Sequence, residues 1–260
     1  MSSRSHVYVE KEEEVSIVNL DDRSSFNSLS YEVLGQLFNL LTDADKDSST
    51  KLILLRGQGS GFSAGHNLKE VQENDEEHFF QNLMNASKNV MSLLPKLNKP
   101  VIAEVHGIAT AAGCQLVAAC DLAYSSSQAK FATPGVNIRL FCHTPLVPLS
   151  RSIGNKHSME MLLLGEMIDA EDAKRFGLIN DLFEPAQLHV KVMEKARVIA
   201  SKSPYVVQSG KRTFYEQLEM SLSDAYEYSS ERMVNNLMAN DAKEGINAFL
   251  SKEEPKWSNS

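Results

Sequence analysis

The stretch His106 to Asp121, HGIATAAGCQLVAACD, constrains the fold of this chain more than any other. A β-rich run, Lys99-Pro-Val-Ile-Ala-Glu-Val, leads into Gly107. Residues with almost no side chain follow (Ala109, Thr110, Ala111, Ala112 and Gly113), and then a short apolar segment at helical spacing. The order predicted is strand, small-residue turn, helix. Small residues let another group approach the backbone closely, and the first turn of a helix carries N–H groups with no intrahelical partner. With the positive end of the helix dipole behind them, such amides can hold negative charge developing on an oxygen. Taken alone, the stretch fits close packing of a helix on a sheet better.

A second stretch changes that balance. Lys51-Leu-Ile-Leu-Leu-Arg runs into Gly57-Gln-Gly-Ser-Gly-Phe-Ser-Ala-Gly-His-Asn-Leu-Lys, again with the look of strand, glycine-rich turn and helix. If the two turns face one another, one buried oxygen can receive an N–H from each, the geometry of an oxyanion hole.

At 260 residues the chain suits one domain, or a domain with a C-terminal extension, and is long enough for a hydrophobic core. A net charge of −8 and a pI near 5.4 argue against nucleic acid as the main partner. They leave room for an anionic ligand held by a few lysines. No apolar run is long enough to span a bilayer. Met1 to Glu14 lacks the apolar core of a secretory signal and is poor in Arg, so a cytoplasmic location is expected. Cys114, Cys120 and Cys142 are an odd number without a paired framework, which fits a reducing compartment. No Cys/His spacing typical of zinc occurs, and no metal or resident cofactor is expected.

Along the chain, Val7–Glu10 and Glu14–Leu20 read as strands around the charged turn Lys11-Glu-Glu-Glu. Leu29, Val33, Leu34, Leu37, Phe38 and Leu41 form the stripe of an amphipathic helix. Leu68 to Leu97 is helical in pattern, apart from the acidic patch Glu73-Asn-Asp-Glu-Glu, which reads as a solvated segment. Leu122–Ser125 and the run from Lys130 read as strands, and Pro134 to Pro148, with three prolines, as a loop. Helix dominates from Asn155 on: Met159–Leu164, Ala170–Phe176 with Gly177 as C-cap and a short strand after it, Leu188–Ser201, Val206–Leu218, Ser221–Asn240 and Asp241–Leu250. The class is α/β, with β and α alternating early and helix alone late. A core over residues 1–200 and a C-terminal helical region over 201–260 are expected.

Other motifs compete for the first turn. Gly61-Phe-Ser-Ala-Gly matches the G-x-S-x-G nucleophile elbow, with Ser63 as nucleophile and Asp121, His143, His157 or His189 as later partners. Ser63 comes early for that fold, and glycines this dense produce the pattern easily. The dinucleotide fingerprint and the P-loop both fail on spacing.

Four separated motifs, in order, resemble the crotonase (enoyl-CoA hydratase/isomerase) superfamily from about Val7 to Trp257. They are Asp21-Asp-Arg-Ser-Ser-Phe-Asn-Ser-Leu, Gly61-Phe-Ser-Ala-Gly-His-Asn-Leu-Lys-Glu, the opening stretch, and Glu244-Gly-Ile-Asn-Ala-Phe-Leu-Ser-Lys. The resemblance implies a spiral of ββα units with a helical C-terminal trimerisation region. It implies a coenzyme A thioester as substrate, in fatty acid metabolism, with lyase or isomerase chemistry. The thioester oxygen would accept N–H bonds from His66 and Ala112, such donors being worth about 2.7–4 kcal/mol each. Ser24, Ser25, Phe26, Ala64, Leu68 and Lys69 would lie along coenzyme A, with Pro134 and Gly135 bordering the acyl group. Phe249 and Lys252 would reach it from a neighbouring subunit of a trimer, or of a hexamer made of two trimers.

The pattern also has departures. Hydratases of this superfamily use two glutamates, and those positions are here Gln115 and Gly135. An amide orients water but does not take its proton, and glycine offers no side chain. Two-glutamate hydration is therefore not expected of this sequence, and Gln115→Glu with Gly135→Glu is expected to restore some hydratase activity. Asn67 stands where many relatives have aspartate. His143, where some isomerases carry a working carboxylate, is the remaining acid/base candidate, against a plain loop histidine. Cys142 reads as a nucleophile or a buried thiol, the second fitting its apolar surroundings better. A non-catalytic acyl-CoA binder is the alternative function.

Overall fold

In the computed structural model residues 6–258 are described; Met1–Ser5, part of the polar N-terminal stretch, and Asn259–Ser260 lie outside them. The chain opens with a hairpin of β1 (Val7–Glu12) and β2 (Val15–Leu20). Helix α1 (Tyr31–Lys46) starts at Ser30, whose side chain accepts the Val33 N–H as a cap. Three turns of a spiral follow, each a longer strand, a bend, a three-residue strand and helix. The first is β3 (Leu52–Gly57), β4 (Gly61–Ser63), α2 (Leu68–Gln72) and α3 (Glu77–Leu93). The second is β5 (Val101–Val105), β6 (Ile108–Thr110) and α4 (Ala112–Ala119). The third is β7 (Leu122–Ser126), β8 (Lys130–Ala132) and, after a 3-10 turn at Pro134–Ile138, α5 (Leu146–Ser152) and α6 (Asn155–Leu164). Short β9 (Ile168–Asp169), α7 (Ala170–Phe176) and β10 (Asp181–Phe183) precede α8 (Leu188–Ala200). Helices α9 (Pro204–Gln217), α10 (Leu222–Met238) and α11 (Asn240–Ser251) complete the chain.

Stacking these turns sorts the strands into two sheets. The longer ones form a six-stranded sheet in the order β1-β2-β3-β5-β7-β10, parallel from β2 onward. The three-residue strands form a second sheet, β4-β6-β8-β9, in which β4, β6 and β8 are parallel. Near-continuous apolar runs such as Leu52–Leu55 and Val101–Val105 are what a parallel sheet covered on both faces requires. One face buries Val33, Leu34, Leu37 and Leu41 of α1; the other buries Leu188, Val192, Met193 and Ala196 of α8 against Val15, Ile17, Leu52 and Ile102.

Two expectations need correcting. The small-residue stretches are not plain turns: three residues of each form the short strands β4 and β6, paired at Gly61–Ile108 and Ser63–Ala109, before the helix begins. The Pro134–Pro148 segment is not a loop throughout, since it holds the 3-10 turn and the start of α5. The acidic patch Glu73–Glu77 is the break between α2 and α3, and no metal-holding cluster occurs among the described residues. No described helix is long and apolar enough to cross a membrane.

Helix α8 is also held by charge. His189 Nδ1 lies 2.8 Å from Glu104 Oε2 and its Nε2 3.2 Å from Glu12 Oε2. The hydrogen bond to Glu104 raises its pKa above the ordinary 6.5, while burial and Arg56 oppose the shift. A raised folded pKa means a contribution fully present below about 6.5 and lost as pH climbs through the folded value. The ring is partly exposed, so screening keeps the effect small. The melting temperature is expected to fall by on the order of 2 °C from pH 6 to 9, and His189→Gln to flatten that slope in calorimetric scans.

Candidate active site

The ends of β4, β6 and β8 lie side by side, so the bends after them meet. Ser63, Ala109 and Phe131 are in register across the three strands, which puts Gly65, Ala111 and Thr133, two residues on, in the next row. Gly65 has φ +89°, and a Cβ there would stand 2.9 Å from the Ala111 Cβ and 3.0 Å from the Ala112 nitrogen. At Gly113 a Cβ would come within 2.2 Å of the Ser63 carbonyl oxygen. Both bends therefore need glycine for close approach. Ala111 itself holds φ +50°, ψ −118°, a conformation costly for any residue with a Cβ.

Ala112 opens α4, and His66 precedes the cap of α2. Among the described residues neither backbone N–H has a protein acceptor, Ala112 being the first residue of α4 and so without an intrahelical one, whereas the flanking groups do bond: Leu29 N–H to the Gly65 carbonyl at 2.7 Å, Ala111 N–H to the Ala132 carbonyl at 2.9 Å. The loop before α1 is drawn in as well. Phe26 and Asn27 take left-handed backbone, the Phe26 carbonyl accepts the Ala64 N–H at 2.9 Å, and Asn27 Nδ2 donates to the Gln58 and Gly61 carbonyls at 2.8 Å each. Buried Asn27 thus organises the first bend, a role that only its tolerance of positive φ hinted at. Ser24 and Ser25 donate to the Asp22 carboxylate. Asn67 caps α2 through the Lys69 and Glu70 N–H groups, as an aspartate there would. Leu68 and Lys69 are exposed on that first turn.

Burial pushes the His66 imidazole down to about 4, and among the described residues neither its Nε2 nor the buried Thr133 Oγ1 has a hydrogen-bond partner. Gln115, one helical turn beyond Ala112 and buried, accepts a hydrogen bond at its Oε1 from Thr144 Oγ1 at 3.2 Å. A cleft of about 1180 Å³ begins there and runs along α4 to α9, with Gln115, His143 and Thr144 at one end and Phe214 and Tyr215 at the other. His143 is exposed, its Nδ1 3.0 Å from the Phe141 carbonyl oxygen.

Gly135 stands differently from expectation. A Cβ there would meet the Leu140 carbonyl oxygen at 2.5 Å and Cys142 Sγ at 2.9 Å. The chain folds back over this position, so Gly135→Glu cannot be placed without moving backbone, and the expected rescue by two glutamates is withdrawn. Cys142 is a buried thiol whose pKa burial raises, and Cys114 is pushed up to about 12; neither is a nucleophile.

The hydrolase reading fails on geometry. Buried Ser63 donates to the Asn27 carbonyl at 2.8 Å, His157 stacks on Phe176, His189 sits between Glu104 and Glu12, and Asp121 holds Lys211 and Tyr215. Phe249, on α11, and Lys252, its C-cap, lie far along the chain; α11 packs on α9 and α10, and Phe249 is 83% exposed. Among the described residues of one chain, no hydrogen bond or ion pair joins them to the bends.

Two interlocked turns at the ends of stacked ββα units define a crotonase-type fold, and the chain belongs to the enoyl-CoA hydratase/isomerase family, whose profile matches residues 10–260. It is 45% identical to human enoyl-CoA hydratase domain-containing protein 3, over 89% of this chain and 77% of that protein. The crystal structure of the human protein of that name superposes with a TM-score of 0.94 at 40% identity, over 97% of this chain and 100% of the other. An enoyl-CoA hydratase structure from Mycobacterium smegmatis gives 0.95 at 39% identity, over 98% and 99%. The human relative is named as mitochondrial, as are its counterparts in other vertebrates, and this overturns the expected cytoplasmic location. Unpaired thiols report reducing conditions, and that does not tell one reducing compartment from another.

Proposed function

We propose that this chain is an acyl-CoA enzyme that grips the thioester carbonyl between the N–H groups of His66 and Ala112 and stabilises the enolate formed beside it. The observation that supports this reading is the close approach of the two bends at Gly65, where a Cβ would meet the Ala112 nitrogen at 3.0 Å, together with the lack of a protein acceptor for the His66 and Ala112 N–H groups among the described residues. Charge on an enolate oxygen is largest when the enolate forms, so donors fixed there favour the transition state over the substrate. Neutral His66 adds no competing charge. Exposed Lys69 beside the first bend, and Phe249 and Lys252 from a second copy, would hold coenzyme A. Leu222, Tyr226, Met233, Val234 and Met238 are exposed apolar residues of α10, which supports assembly into trimers or hexamers.

His143 is the acid/base candidate at the near end of the cleft. A second reading, binding without turnover, draws support from the crowding at Gly135. Calorimetry tests the cradle: butyryl-CoA is expected to bind about tenfold tighter than the thioether S-butyl-CoA, which lacks the carbonyl oxygen. Equal affinities would remove the two amides from the reading.

A further inference from the structure

We propose that the acyl group turned over here carries a carboxylate on its α-carbon, and that the reaction is decarboxylation of a malonyl-type CoA thioester. This rests on the cradle reading and adds how the enolate is reached. An enolate arises in either of two ways. A base removes an α-proton, or a bond at the α-carbon breaks and leaves its electron pair behind. The first route needs a free base in the cleft.

The carboxylates lining the cleft are Asp121, Glu216 and Glu219, and each is engaged at the α9 end. Asp121 accepts from Lys211, Tyr215 and the Val101 N–H; Glu216 accepts from the Tyr228 hydroxyl; Glu219 pairs with Arg151. Nearer the cradle, Gln115 is an amide held by Thr144, and the space beside Gly135 is filled by the Leu140 carbonyl and Cys142. The Cys114 and Cys142 thiols stay protonated. Among the described residues no carboxylate orients His143, whose Nδ1 faces the Phe141 carbonyl, and a thioester α-proton is far less acidic than imidazolium. Such a ring is a poor base for that proton but a competent acid toward an enolate.

A substrate that brings its own electron pair needs no base. The bond between the α-carbon and its carboxylate breaks, CO2 leaves, and the pair enters the thioester as an enolate whose oxygen lies between the two amides. A proton from solvent, passed through His143, then adds to the α-carbon. One 2-carboxyacyl-CoA and one proton give one acyl-CoA and one CO2, with no oxidant or reductant. Met91, Val117, Ala118, Val147 and Pro148 line the cleft with apolar surface, which solvates a carboxylate poorly and neutral CO2 well. Exposed Lys88 and Lys96, also lining it, favour arrival of a substrate with an added negative charge.

The test gives purified full-length protein methylmalonyl-CoA, malonyl-CoA and crotonyl-CoA in parallel, with butyryl-CoA binding measured beside them. Decarboxylation is expected with a kcat/KM about tenfold or more above that for crotonyl-CoA hydration. In D2O the propionyl-CoA product should carry one deuterium at the α-carbon. His143→Gln should lower kcat about 100-fold with KM little changed and remove one limb of the pH profile. Faster hydration than decarboxylation overturns the inference, and so does butyryl-CoA binding with no CO2 released from either substrate. The second result leaves the cradle reading standing, whereas no binding of butyryl-CoA removes both.

Discussion

Gly65→Ala is expected to erase the preference for thioester over thioether ligands and to destabilise the fold by about 2–4 kcal/mol. The residue sits at φ +89°, where an alanine pays a steric penalty whatever surrounds it, and its new methyl would meet the Ala111 Cβ and the Thr110 carbonyl oxygen at 2.9 Å and the Ala112 nitrogen at 3.0 Å. None of these is the far end of a flexible side chain. Relief comes only by spreading the bend after β4 from the bend after β6, the separation on which the proposed cradle depends. A misaligned donor costs about as much as a missing one, roughly 100-fold in turnover. Urea unfolding gives the stability term, and paired calorimetry with butyryl-CoA and S-butyl-CoA gives the recognition term. A folded variant that still prefers the thioester would show that Gly65 serves packing alone.

What the sequence shows of this molecule follows the range over which each cause acts. Continuous apolar runs and the Leu29–Leu41 stripe are local, so the buried sheet and α1 are readable from them. The glycines and alanines of the bends are local too, and they announce close approach, though not the partner approached. The three-residue strands β4 and β6 escape notice because an alternation needs more residues than they have, whereas the run from Lys130 is readable as β8; the pairing of all three comes from stacking of successive units. Gly135 shows the limit most clearly. As a letter it reads as a lost glutamate, and only the return of Leu140 and Cys142 over it shows that the space is occupied. Thr144 holding Gln115 from 29 residues away, and Thr133 buried without a partner beside the bends, carry no signal of their own in the chain.

The longest-range link of this kind decides how the C-terminal helices sit. Lys211 of α9 donates from Nζ to the Leu94 and Lys99 carbonyls at 2.9 Å each and to Asp121 Oδ2 at 2.7 Å. Its side chain is 6% exposed and that of Asp121 15%. Asp121 also accepts from the Tyr215 hydroxyl and the Val101 N–H, and burial beside this carboxylate raises the Tyr215 pKa. Removing one partner of a buried pair strands the other charge, so Lys211→Met is expected to cost about 3–5 kcal/mol in urea unfolding. The double variant Lys211→Met/Asp121→Asn should recover part of that loss, because asparagine carries no net charge, its carbonyl oxygen can accept from the Val101 N–H and its amide can donate to the Tyr215 hydroxyl. A cost below about 1 kcal/mol would place the pair with ordinary surface ion pairs and leave the docking of α9 to its apolar contacts.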